Sequence, residues 1–366
     1  MDNSDIALQK HFKLKGKIEM VSKVPLKSIE DLSVYYTPGV AEPCKEIIKN
    51  PESVYELTSK GNFVAVITDG SAVLGLGNIG PRAALPVMEG KAILFKQFAG
   101  LDAFPICLNT NDTEEIIRII TALEPSFGGI NLEDIAAPRC FEIERRLQEK
   151  LSIPVFHDDQ HGTAVVVLAG LINALKVTGK KEQQVKVVIS GAGAAGTAIF
   201  KLLLAYGFVD LTLCDSQGVL SKERSNLDTY KMELVSLSNP RQLSGTLKQA
   251  ISGADIFIGV SAKNLLSAQD IQTMSEKPIV FALSNPDPEI SFEEAIKGGT
   301  HIIATGRSDY PNQLNNVLVF PGMLKGAMKI RKQVTQQMKL AAAKALAAMV
   351  TDPSPEKIIP GVFEKG

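Results

Sequence analysis

Val185-Lys186-Val187-Val188-Ile189-Ser190-Gly191-Ala192-Gly193-Ala194-Ala195-Gly196 is the stretch whose reading decides the fold. Its β-branched first half predicts a buried strand, and the apolar run 197–206 that follows predicts a helix. Between them the glycines fall at the first, third and sixth positions of the turn. Gly191 makes the turn, Gly193 lets a pyrophosphate reach the backbone, and Gly196 lets helix meet strand. Ala192, Ala194 and Ala195 complete a turn that points the helix N-terminus at phosphates. The next strand, 211–214, ends at Asp215, placed to accept hydrogen bonds from adenosine ribose hydroxyls. That acid favours NAD, because a 2′-phosphate would meet a negative charge, while Lys222 nearby offers a route to NADP. Further strands at 256–260, 279–283 and 302–305 extend an α/β, Rossmann-like, doubly wound parallel sheet.

Upstream, 153–156 reads as a short buried strand running into His157-Asp158-Asp159-Gln160-His161-Gly162, and 163–175 reads as an apolar helix. Adjacent carboxylates at such a corner repel each other and are costly to bury, so a cation, most economically a divalent metal, is expected against them. A second acidic pair, Glu133-Asp134, follows the strand-like 127–132. Histidines at 157 and 161 have the spacing of a zinc pair but lack the glutamate of that motif, so they read as hydrogen-bonded structural residues. The strand 63–68 ends at Asp69, and Gly75, Gly77 and Gly80 soon after indicate close packing or a tight turn rather than a phosphate cradle. Lys91 and Lys96 lie in the apolar stretch 86–98, 103–108 is a strand, and Asn111-Asp112 caps a helix at 116–123.

The first 34 residues read as one helix and a loop through Val24-Pro25, before the fixed turn of Tyr35-Tyr36-Thr37-Pro38-Gly39. Two units follow: a smaller N-terminal α/β domain, 1–153, and a dinucleotide domain, 154–366, whose Ala-rich tail has a packing role. Amides after the late strands, Asn285 and the 312–316 group, suit a substrate carboxylate without adding charge.

A net charge of −1 removes the electrostatic case for nucleic acid or an anionic membrane, and no apolar run approaches a membrane span. Cys44, Cys107, Cys140 and Cys214 are scattered and form no C-x-x-C pair, so a reducing, cytoplasmic setting is the default. The partner is expected to be a small molecule.

These residues resemble the malic enzyme family in its shorter bacterial form. The similarity is carried by YYTPGVA at 35–41, DGSAVLGLGNIG at 69–80, PVMEGK at 86–91, FGGINLEDI at 127–135, PVFHDDQHGTA at 154–164, the glycine turn, FALSNPDPE at 281–289 and TGRSDYPNQLNNVLVFPG at 305–322. The resemblance implies oxidative decarboxylation of (S)-malate to pyruvate and carbon dioxide with NAD or NADP and Mg2+ or Mn2+. It implies Glu133, Asp134 and Asp159 as metal carboxylates, Asp158 as supporting group or proton relay, Lys91 as base and Tyr36 as acid. It also implies Asn285 and Asn316 as amides on the substrate carboxylate or the nicotinamide side, and a homodimer. Larger relatives carry Glu-Arg after the Asp-Gly, where this chain has Ser71-Ala72, so the substrate's second carboxylate needs another partner.

The chemistry agrees with that set. Three carboxylates without thiolate form a hard oxygen site suited to Mg2+ or Mn2+. Lys91 serves as a base only if its pKa falls, as burial and a nearby cation would make it do. Tyr36 is placed by its turn to protonate C3 of the product enolate. Two rivals remain: a metal-dependent lyase, yielding lactate or only decarboxylating oxaloacetate, and a non-catalytic nucleotide sensor. The presence of every acid-base and metal residue counts against the sensor.

Overall fold

The computed structural model describes residues 3–73 and 75–364. Strands β1 (Phe63–Thr68), β2 (Asp102–Cys107), β3 (Gly129–Leu132) and β4 (Val155–His157) form one sheet in the order β2-β1-β3-β4, every neighbouring pair parallel. Helices cover both faces, so β1, β3 and β4 read as continuous apolar runs rather than alternating ones. β4 lies beyond residue 153 yet pairs with β3, so residues that the sequence reading assigned to the second unit complete the first sheet.

The second sheet contains β5 (Lys186–Ser190), β6 (Asp210–Asp215), β7 (Gly218–Val219), β8 (Ile256–Gly259), β9 (Ile279–Ala282) and β10 (Ile302–Thr305). Their order is β10-β9-β8-β5-β6-β7, parallel except for the short β7. Chain order reverses at β5, which pairs with β6 on one side and β8 on the other. A crevice therefore opens beyond the carboxyl ends of β5 and β8, where doubly wound sheets bind ligands. The α/β class and the parallel second sheet are as the sequence led us to expect.

The helix Asp158–Thr178 joins the two sheets. It ends at Gly179, whose left-handed backbone (φ 73°) closes the last turn. By length and composition alone this helix could cross a membrane, contrary to the sequence expectation. Its apolarity has another cause: Val165, Leu168, Ala169 and Leu171 are buried on different faces, in one core that runs from Val64 and Phe95 to Ile189 and Phe281. The tail helix Gln336–Ala348 packs along it, and Asn173 Nδ2 donates to Ala347 O at 2.8 Å.

The N-terminal segment differs from the expected single helix and loop. A second helix, Ile29–Tyr35, follows the helix Asn3–Leu14, because Ser28 and Asp31 form a reciprocal capping box. No residue from 5 to 59 is buried.

Candidate active site

The register of β3 and β4, with Leu132 opposite His157, sets Glu133-Asp134 and Asp158-Asp159 side by side at one sheet edge. One oxygen from each of Glu133, Asp134 and Asp159 lies within 4.8 Å of the others. The Asp134 backbone N–H donates to Asp159 Oδ2 at 2.8 Å, and Asp134 holds a left-handed φ of 53°, uncommon for a residue with a side chain. Lys91, from the helix Gly80–Ala99, brings its ammonium 2.7 Å from Asp158 Oδ2 and 2.9 Å from Glu133 Oε1, above the Phe320 ring.

Four carboxylates thus face one ammonium in a buried pocket. Burial first, then the charges of Asp159 and Glu133, push Asp134 up to about 9. Burial also raises Glu133, Asp158 and Asp159. Lys91 departs from expectation. Burial presses its pKa down, but Asp158 and Glu133 outweigh burial and hold the ammonium above its ordinary value. Asp134 Oδ2 and Asp158 Oδ1 are buried without a hydrogen-bond partner. An excess of hard oxygen donors with orphaned lone pairs fits a divalent cation.

The glycine after His161 has a steric cause: a Cβ at Gly162 would sit 1.9 Å from Asp158 Oδ1 and 3.1 Å from Asn316 Cβ. The same contact brings Asn316 against the acidic helix start. Asn285 approaches from the other sheet, where a Cβ at Gly75 would lie 2.6 Å from Asn285 O. Gly75 therefore serves close packing, while Gly77 and Gly80, at φ 73° and 75° with open space around them, serve tight turns. Arg139, which sequence reasoning passed over, fills the space beside Ser71: its Nη2 donates to Asp69 Oδ2 at 2.6 Å and to Ser71 Oγ at 3.0 Å. Tyr36 is 65% exposed, and among the described residues its hydroxyl has no hydrogen-bond partner. A single chain does not bring it to Lys91 by any such bond.

At the second sheet the glycine turn has the anticipated form. A Cβ at Gly196 would meet Gly191 O at 1.7 Å, whereas Gly193 faces open space. Gly191, Ala192, Gly193, Thr197, Asp215 and Lys231 line a cavity of about 320 Å³. Ala194 and Ala195 begin the helix Ala194–Tyr206 above it. Asp215 is not the lone acid that the sequence suggested. Arg224 binds both of its oxygens, at 2.8 and 3.1 Å, and Lys231 Nζ lies 2.8 Å from Oδ2. These cations, with a backbone N–H of Gln217, outweigh burial and hold the carboxyl down at about 2. Arg224 and Lys231 offset Asp215, and with Asp228 also lining the cavity the subsite is neutral overall, so Asp215 no longer stands as an uncompensated charge against a 2′-phosphate. Lys222, the cation picked out in the sequence, is exposed and takes no part.

The histidines divide. His161 is hydrogen-bonded to Glu144 and Lys339, as a structural histidine should be. His157 is fully buried with neither ring nitrogen partnered, so the expectation fails there.

Two family profiles match: "malic enzyme, N-terminal domain" over residues 15–148 and "malic enzyme, NAD binding domain" over 160–364. The chain is 54% identical to the bifunctional malic/malolactic enzyme of Bacillus subtilis, over 98% of this chain and 88% of that one. It is 57% identical to the NAD-dependent malic enzyme of Geobacillus stearothermophilus, over 95% of this chain and 73% of that protein. The crystal structure of an NAD-dependent malic enzyme from Thermotoga maritima superposes with a TM-score of 0.95 at 54% identity, covering 98% of this chain and 95% of that one.

Proposed function

The chain belongs to the malic enzyme family, and from that premise we propose that it converts (S)-malate to pyruvate and carbon dioxide with reduction of NAD or NADP. The observation that carries this reading is the meeting of Lys91 with the Glu133, Asp134, Asp158 and Asp159 carboxylates at one sheet edge, beside a glycine turn that serves a dinucleotide. Glu133, Asp134 and Asp159 would hold Mg2+ or Mn2+. When bound, that ion supplies Lewis-acid stabilisation of the negative charge developing on the substrate's C2 oxygen.

An ammonium is no base, so Lys91 first passes a proton to Asp158 Oδ2, 2.7 Å away, a transfer that a divalent cation held by the neighbouring carboxylates would favour. The neutral amine then takes the C2 hydroxyl proton. Asn316, beside Asp158, and Asn285, beside the glycine segment, orient the substrate carboxylate and the nicotinamide. Tyr36 protonates C3. Its exposure supports delivery from a second copy of the chain in a homodimer. So does the apolar surface around it: Phe12, Met20, Val21, Ile29 and Ile48 are each at least 75% exposed. Neutralisation of Asp215 by Arg224 and Lys231 supports use of both NAD and NADP. Four free cysteines agree with a reducing cytoplasm.

A redox-neutral reaction to lactate is the second reading, favoured by the malolactic activity named for the Bacillus subtilis relative. One experiment separates them: initial rates of reduced-cofactor formation from (S)-malate and Mn2+, with NAD and NADP in parallel and pyruvate and lactate quantified at the end. Reduced cofactor with matching pyruvate is expected. Lactate without net reduced cofactor would move the assignment to the lyase, and no product would return the nucleotide sensor.

A further inference from the structure

Glu144 stands behind the metal site, on the helix Arg139–Lys150, and is 6% exposed. Its carboxylate collects four donors. The His157 backbone N–H reaches Oε1 at 3.0 Å, His161 Nε2 lies 2.9 Å from both oxygens, Gln160 Nε2 reaches Oε2 at 3.1 Å, and Gln148 Nε2 reaches Oε1 at 3.3 Å. Three of the four come from 157–161, the segment that carries Asp158 and Asp159. Lys339, from the tail helix, donates to His161 Nδ1 at 2.9 Å. An ammonium has no lone pair, so Nδ1 must accept, and the His161 proton is thereby fixed on Nε2, facing Glu144.

We propose that Glu144, with Lys339 acting on it through His161, is the positioning residue of the metal site: it pins the first turn of the helix Asp158–Thr178 so that Asp159 meets Glu133 and Asp134. The need for such a pin follows from the charges. Asp158 and Asp159 point into a cluster that repels them; Lys91 and the Asp134 N–H hold their carboxylates, and Glu144 holds the turn behind them. Glu144 touches no reacting atom. Its three bonds to the segment grip both sides of the acid pair, through His157 before it and Gln160 and His161 after it. Lys339 offsets the charge that Glu144 itself brings to the interior. The tail helix, expected from sequence only to pack, thus reaches the segment that carries Asp158 and Asp159.

The proposal rests on the metal reading above, and the test keeps the two apart. Mn2+ affinity of the metal-free, full-length protein is measured by electron paramagnetic resonance of free Mn2+, with NAD affinity by calorimetry and folding by circular dichroism. Glu144→Gln keeps the volume but turns one acceptor oxygen into a donor facing donors. Its Mn2+ Kd is expected to rise about 10–100-fold, the usual effect of losing a group that orients a metal ligand, with NAD affinity unchanged. Glu144→Asp should recover part of the loss, and Lys339→Met should give a smaller rise of the same sign. A folded Glu144→Gln protein that binds Mn2+ like the wild type overturns the proposal. Should that variant fail to fold, an unchanged Mn2+ Kd in Lys339→Met overturns it. Wild-type protein that binds no Mn2+ overturns the metal reading instead.

Discussion

The Lys91 pocket and the Asp215 groove are built from the same parts with different balance. In both, carboxylates follow the ends of parallel strands and draw in basic side chains. At Lys91, three buried carboxylates and the half-buried Asp159 share one ammonium, and the surplus is negative. At Asp215, the carboxylate is held by both Arg224 and Lys231, and with Asp228 in the same groove the charges cancel. The negative surplus suits a cation, whereas the balanced groove sets no electrostatic bar to a phosphate. A salt bridge is thus informative for what it leaves uncompensated rather than for the pair it makes.

The sharpest way to separate the two regions is Lys91→Met. Turnover of malate should fall about 10²–10⁴-fold, the range supplied by a positioned acid or base, while NAD affinity measured by calorimetry stays at the wild-type value. Loss of NAD binding would show that the pockets are not independent. Mixing Lys91→Met with an inactive Tyr36→Phe protein and allowing subunits to exchange should restore part of the activity, because some sites then pair an intact Lys91 with an intact Tyr36. No recovery would confine both groups to one chain.

On the other side, Lys231→Gln should raise the KM for NADP about tenfold or more, as expected for one charge-assisted hydrogen bond to phosphate, and that for NAD much less. Equal changes would mean that Lys231 only holds Asp215. The smallest effect concerns protons. With Asp134 pushed up to about 9, the metal-free cluster carries a proton at neutral pH that a metal must displace. Calorimetry of Mn2+ binding at pH 7 in buffers of different ionisation enthalpy should show net proton release. Because the folded pKa lies above the unfolded value of 3.8, the contribution to stability is complete below 3.8 and is lost as pH climbs to about 9. The thermal midpoint of metal-free protein should accordingly drop across that interval, and Mn2+ should restore it most at the alkaline end.

Both clusters were legible in the sequence because their signals are local. The glycine turn, Asp215 and the two acidic pairs each lie within a few residues of a strand end. What escaped was supplied from afar. Arg224 and Lys231 return to Asp215 from beyond the turn after β6, and nothing in their own neighbourhood announces an ion pair. Glu144 and Lys339 meet at His161 from helices on either side of it in sequence, so no spacing rule could join them. The hold of Asp158 and Glu133 on Lys91 was not legible either, because burial and neighbouring carboxylates act in opposite senses and only distances decide between them. Apolarity of the Asp158–Thr178 helix gave its existence but not its surroundings.

That helix also bears on how the protein comes apart. It is about 31 Å long at the usual rise per residue, begins at the ligands of one sheet and is sheathed along its length by a core common to both. A chain cut after residue 153 would strip the first sheet of its edge strand and leave the rod without half its sheath. The two sheets should therefore melt in one calorimetric transition, with van't Hoff and calorimetric enthalpies in agreement, although the sequence divides into two motifs.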